Sequence, residues 1–101
     1  MISKALFVRL EAKPGKEQAV ADFLGAGLEM ARREVTTPIW LALKLSPTTF
    51  GIFDAFAGED DRHAHLSGNI AHALMAHADD MLASPPSIES IDVLGMKNQL
   101  P

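Results

Sequence analysis

The stretch Thr48–Met81, TTFGIFDAFAGEDDRHAHLSGNIAHALMAHADDM, decides the fold and carries all four histidines of the chain. It reads as a strand, a turn and two helical pieces. Ser46-Pro47 precedes the strand and Gly58 follows it, which bounds it at Phe50–Ala57. Strand side chains alternate between faces, so Phe50, Ile52, Asp54 and Phe56 share one side, and Gly51, Phe53, Ala55 and Ala57 the other. Both sides are largely apolar, so both need a cover. Helices of the same chain can cover one. Something else is left for the other, and that cover is expected to accommodate Asp54 among the aromatics.

Downstream, Glu59-Asp60-Asp61 supplies an acidic first turn for a short helix ending at Leu66. Ser67-Gly68-Asn69 interrupts it, and a longer helix is expected over Ile70–Ala83, with Ile70, Leu74, Ala78 and Met81 inward. Ser84-Pro85-Pro86 stops that helix, Ser87–Met96 reads as the last strand, and Lys97–Pro101 as a loose tail.

Upstream, Ile39–Leu45 alternates as a strand, and the short link Ser46–Thr49 predicts an antiparallel hairpin with the central strand. Thr36-Thr37-Pro38 ends a helix expected over Gly15–Arg33, in which Val20, Phe23, Leu24, Leu28 and Ala31 form an apolar stripe. Arg32-Arg33 falls in its last turn, where cations suit the helix dipole. Gly25 and Gly27 each weaken such a helix by about 1 kcal/mol relative to Ala, so they mark either close backbone packing or simple loosening. Ile2–Glu11 alternates as the first strand, and Lys13-Pro14-Gly15-Lys16 is the turn after it.

The order is β-α-β-β-α-α-β. That predicts one α+β domain over residues 1–101 of ferredoxin-like type, a four-stranded antiparallel sheet with the helices on one face. Leaving the apolar residues of the second face in water would forgo about 25 cal/mol per Å² of apolar surface, so a homodimer packed sheet to sheet is expected.

Composition limits the function. A net charge of −4 without a basic run argues against a nucleic-acid partner, and the absence of cysteine excludes a thiol nucleophile or thiolate metal site. No apolar run approaches the ~20 residues needed to span a bilayer, and the N-terminus MISKALFVRL carries charges and runs on into a strand. A cytoplasmic protein is expected. The histidines lack the His-Glu-x-x-His spacing of a metal site, and no Gly-rich phosphate loop or flavin signature is present, so no cofactor is expected.

Three segments together resemble the antibiotic-biosynthesis-monooxygenase-like family of dimeric α+β barrels: VRLEAKPGKEQ (Val8–Gln18), FGIFDAF (Phe50–Phe56) and EDDRHAHLSGNIAHAL (Glu59–Leu74). The first matches the family's strand, Lys-Pro-Gly turn and helix start. In the second, Asp54-Ala55-Phe56 fills its acid, any residue, aromatic pattern; in the third, His65-Leu66 matches its His-Leu pair. The resemblance implies a homodimer with a pocket between helices and sheet in each protomer. Characterised members of the family include cofactorless oxygenases of polycyclic phenols and quinols, and a heme-degrading branch. That branch relies on an Asn, a Trp and an axial His. Here Val8 and His65 stand at the first two positions and Met75 at the third, with His77 reaching it only across a gap, which argues against heme degradation.

The expected reaction is therefore cofactor-independent oxidation of a small phenolic or quinol-type aromatic by O2, with a non-catalytic binding or accessory protein as the alternative. His65 is the first candidate for a proton acceptor, against a structural role at the Gly68 break. Asp54, a carboxylate in mid-strand, either orients His65 or a substrate hydroxyl or pairs with a cation across a dimer. The expected substrate pocket is lined by Leu6, Val8, Trp40, Phe50, Ile52 and Phe56. Trp40 offers a flat wall or ordinary core packing, Asn69 a hydrogen bond or a helix cap, and His77 a pocket contact or a satisfied core position. His72 is expected to be a solvated surface residue, and His63, two residues from His65, points elsewhere.

Overall fold

The computed structural model describes residues 1–98. The elements follow the order β1 (Lys4–Glu11), α1 (Glu17–Ala31), β2 (Ile39–Lys44), β3 (Thr49–Phe56), α2 (Glu59–Leu66), α3 (Asn69–Met81) and β4 (Ser87–Asp92). The strands form one antiparallel sheet in the order β2-β3-β1-β4, an α+β ferredoxin-like arrangement. Within one chain the sheet stays open. Among the described residues no helix is long and apolar enough to cross a membrane.

Several boundaries differ from expectation for identifiable reasons. Gly15 lies at φ 85°, and the Lys16 N–H donates to the Lys13 carbonyl at 2.8 Å. That is a turn with Pro14 then Gly15 at its centre, so α1 starts at Glu17 and not at Gly15. α1 also ends at Ala31, which leaves Arg32 and Arg33 just beyond its last turn. β4 ends at Asp92 and not at Met96, because Asp92 already pairs with Lys4, the first residue of β1. One more bond, from the Val93 N–H to the Ser3 carbonyl, extends the pairing just beyond it. Leu94 and Met96 are then exposed. Lys97 and Asn98 lie outside regular secondary structure, and positions 99–101 of the expected tail lie outside the described residues.

The helices cover the face that carries Leu6, Val8 and Leu10 of β1 and their cross-strand partners Asp54, Ile52 and Phe50 of β3. Val20 and Leu24 of α1, and Ile70, Leu74, Ala78 and Met81 of α3, close that core. Asp54 thus lies under the chain's own helices, contrary to the expectation that its face awaits another cover. The opposite face carries Phe7 directly across from Phe53, which in turn faces Leu41 on β2. Leu41 is half exposed. Gly51 belongs to this open face; a Cβ there would stand 3.2 Å from the Val8 carbonyl oxygen and 3.4 Å from the Phe7 ring.

The two α1 glycines separate. A Cβ at Gly27 would meet Trp40 at 3.2 and 3.3 Å, so the indole lies directly against the helix backbone. At Gly25 nothing lies within 4 Å. Both positions should gain up to about 1 kcal/mol of helix propensity on substitution by Ala. Gly25→Ala is expected to show that gain in urea unfolding, while Gly27→Ala should lose part or all of it by displacing Trp40. Equal gains at both positions would mean the indole contact does not constrain the helix.

Candidate functional site

β3 brings Asp54 to the helix-covered face, and α2 brings His65 down onto it. In α2 the two buried residues are Arg62 and His65, three apart and therefore on one side of the helix. Arg62 spends its guanidinium on the backbone carbonyls of Ala5 and Ile91 and on Glu59, which anchors α2 to the sheet. One turn later His65 is fixed by contacts on three sides. Its Nε2 lies 2.9 Å from Asp54 Oδ2, its Nδ1 lies 2.7 Å from Glu34 Oε1, and its ring stacks obliquely on Phe56 at 5.3 Å between centroids. Glu34 sits in the loop after α1 and accepts the Thr37 hydroxyl at 2.8 Å; that hydroxyl is also 3.4 Å from His65 Nδ1.

The result is a carboxylate–imidazole–carboxylate row, buried at Asp54 and His65 and partly open to solvent at Glu34. With a carboxylate oxygen at each ring nitrogen, only the imidazolium donates to both; a neutral ring would set one lone pair against another. Burial is the largest single influence on His65 and by itself lowers its pKa. The hydrogen bonds and charges of Asp54 and then Glu34 together outweigh it and hold the group above its ordinary value. A buried titratable cluster of this kind is a common mark of a functional site.

A cavity of about 260 Å³ abuts the row, walled by Leu28, Ala31, Arg32, Glu34, Thr37, Pro38 and Trp40. A second, almost wholly apolar hollow of about 320 Å³ shares Leu28 with it and runs between α1 and β2 past Gly25, Ala42 and Phe50. The open space at Gly25 belongs to this hollow. Two buried polar atoms have no protein partner among the described residues: Trp40 Nε1 and Asp54 Oδ1.

Of the residues named from sequence, His65, Asp54 and Phe56 meet directly, and Trp40 stands opposite Asp54 in the β2–β3 register. Leu6, Val8, Phe50, Ile52 and Phe56 are buried within the protein core. Phe50 also reaches the apolar hollow. Asn69 is the exposed first residue of α3, behind a Gly68 N-cap, and makes no side-chain cap. His77 is exposed and meets Phe23 edge-on at 6.1 Å, in a separate surface hollow with Asp22 and Asp80, because Ala78 takes the inward position of that turn. His63 and His72 are exposed. Glu34 went unnoticed in the sequence: a single acid after two arginines in a short loop has no spacing that relates it to His65. Among the described residues no group of three or more His, Asp or Glu side chains could hold a metal ion.

No protein-family model and no curated protein matches the chain. Solved structures do. The fold is that of the antibiotic-biosynthesis-monooxygenase-like proteins. A candidate antibiotic biosynthesis monooxygenase from Nitrosomonas europaea is 20% identical, covering 91% of this chain and 90% of its own, with a TM-score of 0.81. Another from Deinococcus radiodurans is 17% identical over 97% of this chain and 99% of its own, with a TM-score of 0.78. NE2512, a protein of unknown function from Nitrosomonas europaea, is 55% identical over 100% of this chain and 98% of its own, with a TM-score of 0.95. The chain belongs to the same family as NE2512, within the antibiotic-biosynthesis-monooxygenase-like fold.

Proposed function

We propose that this protein is a cofactor-independent monooxygenase that oxidises a small phenolic or quinol-type aromatic with O2. The observation that supports this most is the buried Asp54–His65–Glu34 row against a cavity. Two carboxylates around one imidazolium carry a net negative charge, so the row can take up one further proton. In the proposed reaction it takes the phenolic proton onto a carboxylate, with His65 and Asp54 as the catalytic pair. The electron-rich phenolate then reacts with O2 at a ring carbon ortho or para to the oxygen. That carbon loses its hydrogen as a new C=O forms; one oxygen atom enters the product and the other leaves as water. The substrate supplies all the electrons, so the scheme needs no reductant. The names of the fold neighbours agree with this chemistry.

Oxygen uptake by metal-free protein with a panel of phenols and quinols bearing a free ring position tests the reading. Stoichiometric uptake with oxygen incorporated from O2 into the product is expected. Binding without uptake would point instead to a non-catalytic binding or accessory protein.

The open sheet face carries Phe7, Phe53 and the half-exposed Leu41. A homodimer that buries it, closing a two-chain barrel, is part of the proposal. Light scattering at micromolar concentration should give twice the chain mass of 10.9 kDa. A stable particle of the single-chain mass would remove the barrel.

A further inference from the structure

Trp40 and Asp54 are directly opposed residues of β2 and β3, on the face under the helices. Opposed residues of an antiparallel pair have their Cβ atoms about 4.5–5.5 Å apart, so their side chains share one small region. Each leaves one polar atom unpartnered there: Trp40 offers an N–H with no acceptor, and Asp54 Oδ1 is an acceptor with no donor. Trp40 is 9% exposed and Asp54 1%. Leaving either group unpaired in the interior is costly, and such exceptions in a folded protein call for a physical reason.

The two gaps are complementary in kind. A hydroxyl is the simplest group that accepts one hydrogen bond and donates another, so it satisfies an indole N–H and a carboxylate oxygen at once. An ether or carbonyl can only accept, and would leave Asp54 Oδ1 bare. An ammonium can only donate, and would leave the indole bare. Trp40 is also part of the wall of the 260 Å³ cavity, and Asp54 lies behind it in the β2–β3 register, outside that wall. The edge of the Trp40 ring lies close against α1 at Gly27, where a Cβ would stand 3.2 Å from it.

We infer that Trp40 Nε1 and Asp54 Oδ1 form the seat for the hydroxyl of an aromatic alcohol, the first donating to its oxygen and the second accepting its proton. This rests on the oxygenase reading for its catalytic meaning, because it names Asp54 as the carboxylate that meets the phenolic proton, with His65 behind it on Oδ2. As a binding site it stands without any turnover.

Two probes of similar size isolate the hydroxyl: 1-naphthol and 1-methylnaphthalene. Isothermal titration of the intact protein should show 1-naphthol binding at least roughly tenfold tighter, the scale of one well-made hydrogen bond to a charged group. Trp40→Phe keeps an aromatic ring and removes the N–H, and should lower that ratio several-fold. Because Trp40 is the single tryptophan, the ¹H–¹⁵N spectrum of unmodified protein carries one indole signal. That signal should move downfield with 1-naphthol and stay nearly still with 1-methylnaphthalene, a readout that survives if the variant fails to fold. Equal affinities, or an indole signal blind to 1-naphthol because water alone fills the seat, would overturn the inference. Tight, hydroxyl-dependent binding without oxygen uptake would keep it and defeat the oxygenase reading.

Discussion

His65→Ala is expected to lower turnover of a verified substrate by roughly 10²–10⁴, the usual worth of a positioned acid–base group. The imidazole contacts both carboxylates of the row, so its removal takes away the cation that holds Asp54 and Glu34 together. Wild-type activity should fall as pH rises through a group above the ordinary histidine value of about 6.5, since the carboxylates raise His65 and the proposed reaction uses its imidazolium form. Asp54→Asn removes the charge that raises it most and should move that fall, in its residual turnover, to lower pH. Both variants are compared only where dichroism and particle mass match the wild type. If His65→Ala then turns over like wild type, the imidazolium has no part in the proton transfer. The cavity would in that case act by holding and desolvating the substrate alone.

Asp54→Ala is expected to cost about 3–5 kcal/mol of folding stability, as removal of one partner from a buried charge pair usually does. Asp54 is 1% exposed and lies under His65, itself 7% exposed, so the variant leaves an imidazole buried beside an unfilled space. Against a typical total of about 5–15 kcal/mol, such a loss is severe. Asp60→Ala on the exposed turn of α2 is the control, expected within about 0.5 kcal/mol of wild type. The Asp54 penalty should depend on pH. His65 is held above its unfolded value, so its pairing stabilises fully below about pH 6.5 and the contribution fades as pH rises through the folded value. Urea midpoints at several pH values should show the gap between Asp54→Ala and wild type narrowing toward alkaline pH. A gap that is constant or widens would mean His65 folds in its neutral form.

The order of elements was legible in the sequence because each carries its own local signal. β3 alternates between Ser46-Pro47 and Gly58, and α3 repeats Ile70, Leu74, Ala78 and Met81 before Pro85-Pro86. Boundaries set by partners were less legible. The end of β4 depends on where β1 begins, and that is a long-range fact. Asp54 stood out as a carboxylate among aromatics, yet β3 is apolar on both faces, so alternation alone could not say which side meets the helices. His65 stood out through the His65-Leu66 pair of the family resemblance, and its contact with Asp54 joins two positions already weighed together from the sequence. Glu34 could not be read at all, because a loop residue acquires its meaning only from where α1 and β2 leave it. Gly27 carried a half-legible signal: a helix glycine predicts close packing, and Trp40 is the group that packs there.

The claim on which the rest depends is that His65 is a buried imidazolium paired at both nitrogens. A ¹⁵N NMR titration of the four histidines tests it without needing a substrate. His65, identified by its loss in His65→Gln, is predicted to show two protonated ring nitrogens at neutral pH, to titrate above about 6.5, and to titrate lower in Asp54→Asn. A ring that is neutral at pH 7, with one unprotonated nitrogen and a titration indifferent to Asp54→Asn, would contradict the account.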